Sequence, residues 1–239
     1  MTKLIKNGTV VSATGRHAAE VLVDGATIVA LLQPGSDTAL AAEAGAEEVI
    51  DATGKYVIPG GIDSHTHMEL PFGGTAASDT FETGSRAAAW GGTTTIIDFA
   101  VQTYGQNVRD SLEAWFAKAE GECAVDYGFH MILGDVNEAS LKEMDTLVGE
   151  GISSFKLFMA YPGVFYSDDG QILRAMQVAA NNGALISMHA ENGIAIDVLA
   201  EQAASRGDTG PVFHGLTRPS LLEGEATFRA IQLALVAGA

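Results

Sequence analysis

The chain has 239 residues, of which 47% are hydrophobic and 18% charged, a composition typical of a folded globular protein with a large core. Its 30 acidic and 13 basic residues give a formal net charge of -17, which argues against nucleic acid or an anionic membrane as a partner. The single cysteine, Cys123, excludes an internal disulfide. With no signal-peptide core and no apolar segment of about 20 residues, these features predict a cytoplasmic protein.

Residues 3 to 58 predict a series of short antiparallel strands. The segments KLIKNGTVVS, EVLVDGATIVALL and EEVIDATGKYVI each carry β-branched residues, interrupted by Asn-Gly, Asp-Gly or Thr-Gly turn signals. Only the alanine-rich stretch from Thr38 to Ala46 has helical character.

The pattern changes after Pro59 and Gly60 to apolar runs that alternate with amphipathic stretches. The predicted strands are Gly61–His67, Thr93–Ala100, Tyr127–Leu133, Ser153–Ala160 and Ala184–Ala190. The predicted helices are Phe81–Trp90, Val108–Glu120, Glu138–Glu150, Ile172–Asn181 and, after a longer insertion, Leu221–Val236. Such alternation predicts an α/β fold with a parallel sheet covered by helices.

Five strand-helix units without a glycine-rich phosphate loop fit the first five of the eight units of a (β/α)₈ barrel. Residues 59–239 would then be the N-terminal portion of the barrel, which ends before a sixth strand. In such barrels the catalytic groups lie at the carboxyl ends of the strands. Those ends carry His65 and His67 on the first strand, Lys156 on the fourth and His189 on the fifth.

The two histidines of the first strand lie one residue apart, so their side chains point to the same face and can bind one metal ion. Zinc is favoured for imidazole and oxygen ligands, and manganese or cobalt is also compatible. Asp63 shares that face and is expected to orient the ligand side chains without binding the metal itself. A lone histidine such as His189 is more often a hydrogen-bonded core residue than a ligand. The prediction of a metal site therefore depends on the occurrence of three histidines and a lysine at the ends of different strands.

Lys156 interrupts the apolar run SSFKLFMAY, and two interpretations of it are open. It could extend from the strand to solvent. Alternatively it is a buried amine with a lowered pKa, able to capture carbon dioxide as a carbamate that bridges two metal ions.

The remaining polar candidates are weaker. Asp98 and His130 are further polar residues on apolar strands. His17 and His214 are expected in surface loops, and Cys123 is expected to be an inert thiol.

Several longer motifs resemble the dihydropyrimidinase/hydantoinase family of cyclic amidohydrolases. They are PGGIDSHTHMELPFGG, SDTFETG, GGTTTIIDFA, SFKLFMAYPG, MHAENG and EGEATFRAI, and the resemblance extends over essentially the whole chain. GIDSHTH alone indicates only the wider amidohydrolase superfamily, whereas SFKLFMAY together with MHAEN is specific to this family and its near relatives.

The resemblance implies a metal-dependent hydrolase that opens the ring amide of dihydropyrimidines or 5-substituted hydantoins to N-carbamoyl amino acids. It implies two divalent metal ions, zinc being favoured. The implied ligands are His65 and His67 for the more buried ion, carbamylated Lys156 as the bridge, and His189 for the second ion. Tyr161 would donate a hydrogen bond to the carbonyl oxygen. The implied pocket residues are Leu70, Phe72, Phe158 and Phe165.

The resemblance also implies that the chain is truncated at its C-terminus. Members of the family have a sixth-strand metal-binding histidine and a later catalytic aspartate. Their small β-sandwich domain, of which residues 1–58 would be the N-terminal part, is completed by C-terminal strands. Members are commonly homotetramers, so homo-oligomers are expected.

Alternatives to a hydantoinase-type enzyme remain open. One is a catalytically inactive fragment or scaffold of the same fold, and another is an allantoinase-like enzyme. A dihydroorotase-like site is disfavoured, because Glu69 stands where such sites carry an arginine, two residues after the histidine pair.

Overall fold

The computed structural model describes residues 1–239, which divide into two compact units, Met1–Gly61 and Ile62–Ala239. The strands of the first unit are β1 (Thr2–Lys6), β2 (Thr9–Ser12), β3 (Gly15–Ala18), β4 (Glu20–Asp24), β5 (Thr27–Leu32), β6 (Glu48–Asp51) and β7 (Tyr56–Val57). Its helix, α1 (Asp37–Gly45), occupies the alanine-rich stretch and is capped by the side chain of Ser36. The division falls after Gly61, three residues beyond the expected boundary at residue 58.

The first unit contains a four-stranded sheet in the order β5-β4-β1-β6 and a three-stranded sheet in the order β3-β2-β7. The expectation of antiparallel strands is only partly correct, because β6 pairs with β1, and β7 with β2, in parallel. A small core of Val10, Ala19 and Val21 joins residues of both sheets. His17 lies exposed on β3 rather than in a loop.

The second unit contains the remaining strands and helices. Its strands are β8 (Gly61–Thr66), β9 (Pro71–Phe72), β10 (Thr75–Ala76), β11 (Thr93–Val101), β12 (Asp126–Ile132), β13 (Ser154–Phe158) and β14 (Leu185–His189). Its helices are α2 (Phe81–Trp90), α3 (Val108–Ala119), α4 (Glu138–Gly149), α5 (Asp169–Asn182), α6 (Gly193–Ser205), α7 (Val212–Leu216) and α8 (Ser220–Ala237). His214 therefore lies in a short helix, not in a loop. None of these helices combines the length and the apolar character that a membrane span requires.

Five strands of the second unit form one sheet in the order β14-β13-β12-β11-β8, so that strands consecutive along the chain are neighbours. The pairs β11–β12, β12–β13 and β13–β14 are parallel. The sheet curls as half of a barrel does, which confirms the predicted partial (β/α)₈ barrel of five units.

Side chains alternate between the two faces of this sheet. On β12, Phe129 and Met131 lie in a core shared with the helices, together with Phe155 and Leu157 of β13. The alternate positions point to the inner face of the curl, and they include His130 and Lys156. The inner face therefore receives these two polar side chains, which interrupt apolar strands.

The helices begin at side-chain caps that the sequence provides. Thr80, Asn107, Asn137, Asp168 and Asn192 each accept a hydrogen bond from a backbone N–H in the first turn of α2, α3, α4, α5 and α6, respectively. Such caps typically contribute about 1 kcal/mol each. They fix where each helix leaves the loop that follows a strand end.

Gly193, the first residue of α6, packs directly on the main chain that follows β13. A Cβ atom at this position would lie 2.7 Å from Cα and 3.1 Å from the carbonyl carbon of Ala160. The backbone N–H of Gly193 also donates to the carbonyl oxygen of Met159 at 3.0 Å. We therefore expect Gly193→Ala to lower the free energy of unfolding by about 1–3 kcal/mol, because neither backbone can move aside freely. Urea denaturation measures this change.

Gly224, within α8, is the matched control because a Cβ there meets no atom within 4 Å. Gly224→Ala should raise the free energy of unfolding by about 0.5–1 kcal/mol, since alanine is the better helix former. Equal effects of the two substitutions would contradict the close approach at Gly193.

Candidate functional site

A cavity of about 320 Å³ lies at the carboxyl ends of the strands of the half barrel. Every residue predicted as a metal ligand, as the oxyanion donor or as a pocket residue lines it. The lining residues are His65, His67, Leu70, Phe72, Ile132, Lys156, Phe158, Tyr161, Phe165 and His189. Asp63, Asp98 and His130 do not line it.

One part of the site is built around the ring of Phe99, a buried residue of β11. The ring centroids of His65 and His67 lie 4.6 and 4.9 Å from the centroid of Phe99. The amine of Lys156 lies 4.6 Å from the same centroid and 3.4 Å from Nε2 of His65. Two imidazoles and one amine from two different strands thus meet on a single aromatic ring.

Lys156 is buried, with only 7% of its surface exposed, so the alternative of a lysine that extends to solvent is wrong. Its amine forms no ion pair, and its hydrogen-bond partner is the ring of His65. Burial among apolar groups lowers the pKa of Lys156 because the charged form loses hydration. This environment favours the neutral amine, which is the nucleophilic form.

His65, on β8, and His67, directly after it, are also held in their neutral form. Burial, followed by the charges of Lys156 and His65, lowers the pKa of His67 to about 4. Burial, followed by the charges of Lys156 and His130, lowers the pKa of His65. Neutral imidazoles keep a free lone pair, and the buried Nδ1 of His67 has no hydrogen-bond partner in the protein.

The other part of the site surrounds His189 at the end of β14. Nε2 of His189 lies 2.6 Å from a carboxylate oxygen of Glu191. Its ring stacks on Phe158 at 5.4 Å and lies 5.2 Å from the ring of Tyr161. His189 is therefore half-buried and already oriented by a carboxylate. The sequence signal for Glu191 is its place in MHAEN, two residues after the histidine.

Tyr161 is held over the cavity by an unusual backbone conformation. Its φ is 60°, in the left-handed region that a bulky residue rarely adopts. Its carbonyl oxygen accepts hydrogen bonds from the backbone N–H groups of Val164, Phe165 and Tyr166 at 3.0 to 3.2 Å, which hold the loop in this shape. Burial, followed by the charge of Glu191, raises the pKa of the Tyr161 hydroxyl, so it remains a donor at neutral pH.

The remaining wall of the cavity is apolar. The ring of Phe72 lies 5.1 Å from Tyr161 and is nearly parallel to Phe165, while Phe165 stacks on Phe158 at 5.0 Å. Phe72 belongs to the hairpin β9–β10, whose turn is Gly73-Gly74, with positive φ at both residues. The Gly-Gly turn in PFGGTA is a hairpin signal that the sequence interpretation missed.

The two aspartates near β8 support its backbone. Oδ1 of Asp63 accepts a hydrogen bond from the backbone N–H of His65 at 3.1 Å, so Asp63 contacts the main chain of the ligand strand. Oδ2 of the fully buried Asp98 accepts hydrogen bonds from Thr66 Oγ1 at 2.7 Å and from the backbone N–H of Met68 at 2.8 Å. Asp98 thus links β11 to the residues on both sides of His67.

Asp98 should contribute to the pH dependence of the free energy of unfolding. Burial raises its pKa above the ordinary value of 3.8, although its hydrogen bonds act in the opposite direction. Stability from this group is therefore fully present below the pKa of the unfolded chain, about 4, and is lost as the pH rises through the higher folded pKa. In Asp98→Asn this contribution is absent. We expect the free energy of unfolding of the unaltered protein, minus that of the variant, to fall as the pH rises from about 3 to 7.

Urea denaturation at a series of pH values measures this difference, in which the titrations of other groups cancel. A difference that stays constant or increases with pH would contradict a raised pKa at Asp98.

No group of three or more histidine, cysteine, aspartate or glutamate side chains is arranged to hold a metal ion. The donors in the cavity are instead imidazoles and an amine, and a neutral amine that captures carbon dioxide loses one proton and becomes a carbamate, whose two oxygens share one negative charge. The partnerless Nδ1 of His67 and the lowered pKa values of His65 and Lys156 are compatible with cation binding. The residues present therefore fit a divalent metal ion.

The sequence pattern of the amidohydrolase family matches residues 56–223, a span that includes β8, β13, β14 and the whole cavity lining. The chain belongs to the amidohydrolase family. Members of this family generally depend on a binuclear metal centre.

Individual amidohydrolases resemble the chain closely. It is 66% identical over 236 residues to the D-hydantoinase of Streptomyces coelicolor, covering 99% of this chain and 50% of the relative. It is 50% identical to the D-hydantoinase of Geobacillus stearothermophilus, covering 100% of this chain and 49% of the relative. A crystal structure of D-hydantoinase superposes with a TM-score of 0.93 at 47% identity, covering 100% of this chain and 51% of the other. The chain thus spans about half the length of the relatives that it matches.

Sequence reasoning missed three residues that shape the site of this amidohydrolase. Phe99 and Ile132 are apolar residues on apolar strands and carry no signal of their own. Glu191 follows His189 in a motif that was recognised, but its contact with the imidazole is evident only in the folded protein.

Proposed function

We propose that this chain carries the metal-ligand half of a cyclic amidohydrolase site for dihydropyrimidines or 5-substituted hydantoins. In this proposal residues 59–239 are the N-terminal portion of the catalytic barrel, and residues 1–58 are part of a small β-sandwich domain. The observation that carries it is the single cavity in which His65, His67, Lys156 and His189 meet Tyr161. The similarity to D-hydantoinases supports the choice of substrate class.

Lys156 has the environment that a carbamate-forming lysine needs. Its neutral nitrogen would attack the carbon of carbon dioxide to form an N–C bond and release one proton to water. The product is an anion with two oxygens, which replaces the missing carboxylate in the donor set. His65 and His67 would share one ion with this group, and His189 would hold a second.

Zinc is the ion we propose, and manganese or cobalt also suits imidazole and oxygen donors. Bound divalent ions in such sites supply Lewis-acid activation of water and of a carbonyl group. The contribution of the chain is to favour the neutral forms of His65, His67 and Lys156 by burial and to hold the donors close together, partly shielded from solvent.

The remaining groups of the cavity would bind and orient the ring of the substrate. A cavity of about 320 Å³ suits a small ring. Tyr161 would donate its hydroxyl proton as a hydrogen bond to the oxygen of the scissile carbonyl, where negative charge develops. Leu70, Phe72 and Phe165 would contact the ring substituent. Addition of water then breaks the ring C–N bond and leaves a carboxylate and a ureido group, as in an N-carbamoyl amino acid.

The direct test is hydrolysis by the purified protein after incubation with bicarbonate and zinc, manganese or cobalt. We expect ring opening of 5-phenylhydantoin or dihydrouracil, detected by mass spectrometry as the N-carbamoyl product, and loss of turnover after chelation. Preference for allantoin would overturn the proposed substrate class. Stoichiometric metal without turnover of any of the three would show that the site binds metal but does not catalyse this reaction.

A further inference from the structure

His130 occupies the inner face of the half barrel beneath the candidate ligands. It lies on β12 directly opposite Phe99 of β11, and the two rings are in contact, with centroids 4.7 Å apart and planes tilted by 35°. The ring of Phe99 in turn contacts the ring of His65 at 4.6 Å. His130 is therefore one aromatic ring away from the ligand pair and does not line the cavity.

Both ring nitrogens of His130 are engaged by the protein. Nε2 lies 2.9 Å from the carbonyl oxygen of Ser64, and Nδ1 is hydrogen-bonded to the hydroxyl of Ser154. Because a carbonyl oxygen can only accept, Nε2 carries the proton, and Nδ1 then accepts from the Ser154 hydroxyl. This tautomer leaves no lone pair for a metal ion.

The bond to Ser64 joins strands that are not neighbours. β11 lies between β8 and β12 in the sheet, so the imidazole of His130 reaches past Phe99 to the main chain of β8. Ser64 immediately precedes His65 in the chain. The main chain next to His65 is thus held by the hydrogen bond from His130, while the ring of His65 contacts the ring of Phe99.

We propose that His130 is a positioning residue for the metal site. It fixes the Ser64 carbonyl, and through it the register and depth of His65 relative to Phe99 and Lys156. The role in metal binding rests on the proposed function. The hydrogen bond from His130 to the Ser64 carbonyl oxygen, which we call the tether, is a property of the protein without metal. Groups behind metal ligands typically change metal affinity by 10- to 100-fold when they are removed.

Two substitutions separate this role from a general contribution to stability. His130→Leu removes both hydrogen bonds, whereas His130→Gln keeps an N–H donor at the place of Nε2. Phe129→Leu is the matched control, because Phe129 is a buried residue of the same strand that packs on Phe81 and Phe116, on the helix-facing side of the sheet.

The experiment measures hydrogen exchange of the metal-free protein and Co²⁺ affinity by absorption titration in the same four proteins. In His130→Leu we expect faster exchange confined to the peptide that contains β8, together with 10- to 100-fold weaker Co²⁺ binding at unchanged stoichiometry. His130→Gln should restore both properties in large part. Phe129→Leu should leave the exchange of β8 unchanged relative to the other strands and should not weaken Co²⁺ binding.

Three results would overturn the proposal. Exchange of β8 in His130→Leu could equal that of the unaltered protein, or it could rise uniformly as in a globally destabilised protein. A loss of one bound ion per chain would instead identify His130 as a ligand. If none of the proteins binds Co²⁺, the proposed function fails. Faster exchange of β8 in His130→Leu would then still support the hydrogen bond from His130 to Ser64 as a constraint on β8, and unchanged exchange would contradict it.

Discussion

Replacing Lys156 with methionine should abolish tight cation binding while the protein remains folded. Apparent binding free energies of about 10–16 kcal/mol for structural zinc sites with four ligands correspond to on the order of 3 kcal/mol per ligand. Loss of a shared ligand should therefore weaken zinc binding by about 100-fold or more. Titration with zinc against a chelator of known affinity measures this change.

The same substitution should stabilise the metal-free protein. Lys156 is a buried amine without an ion-pair partner, and burying such a group costs about 1–3 kcal/mol. Methionine fills a similar volume without that cost, so the free energy of unfolding should rise by a comparable amount. Lys142→Met, at an exposed position on α4, is the control and should change neither property. Unaltered zinc affinity in Lys156→Met would exclude Lys156 as a ligand.

Tyr161→Phe should lower kcat for ring hydrolysis by about 100- to 1,000-fold and leave metal affinity unchanged. Removal of one oxyanion donor typically has an effect of this size, because the hydrogen bond strengthens as charge develops on the carbonyl oxygen. The Tyr161 hydroxyl is expected to act only on the substrate, so metal stoichiometry should stay as in the unaltered protein. Steady-state kinetics with a hydantoin, together with elemental analysis, measures both quantities.

Tyr166→Phe is the matched control for this prediction. Tyr166 belongs to the same loop, and its backbone N–H donates to the Tyr161 carbonyl, but its side chain does not line the cavity. Removing its hydroxyl should leave kcat within about twofold of the original, as expected for a side chain outside the substrate's reach. Equal losses in both variants would point to disturbance of the loop rather than to a lost oxyanion donor.

Much of the fold was predictable because its signals are local. The five strands of the half barrel are mostly apolar runs that alternate with amphipathic stretches, and the helices between them begin at side-chain caps. The parallel pairs in the first unit were not predicted, because β1 pairs with a strand more than 40 residues away and a turn signal reveals only adjacent antiparallel partners. The pairing of distant strands depends on tertiary contacts that no single segment encodes.

The candidate site also contains residues that the sequence could single out and residues that it could not. Lys156 stands out because it interrupts an apolar run, and His65 because it belongs to a His-x-His pair; the cavity does contain both. Phe99 could not be singled out, since an apolar residue in an apolar strand is what a core position requires. Its importance follows only from the register that sets it opposite His130 and from the two imidazoles that rest on it.

The electrostatics of the site agree with the proposed carbamate on Lys156. The cavity is lined by three imidazoles and an amine but no carboxylate, and Glu191 approaches it only through His189. Two divalent ions without an anionic ligand would repel each other strongly at short range. A carbamate on Lys156 would supply that anion in the position between the two groups of histidines.

The most direct test of this account is ¹³C NMR of the folded protein equilibrated with ¹³C-bicarbonate and zinc. The account predicts one carbamate resonance per chain that appears with zinc and is absent from Lys156→Met. A folded protein that shows no such resonance at saturating bicarbonate and zinc would contradict the assignment of Lys156 as the bridging ligand.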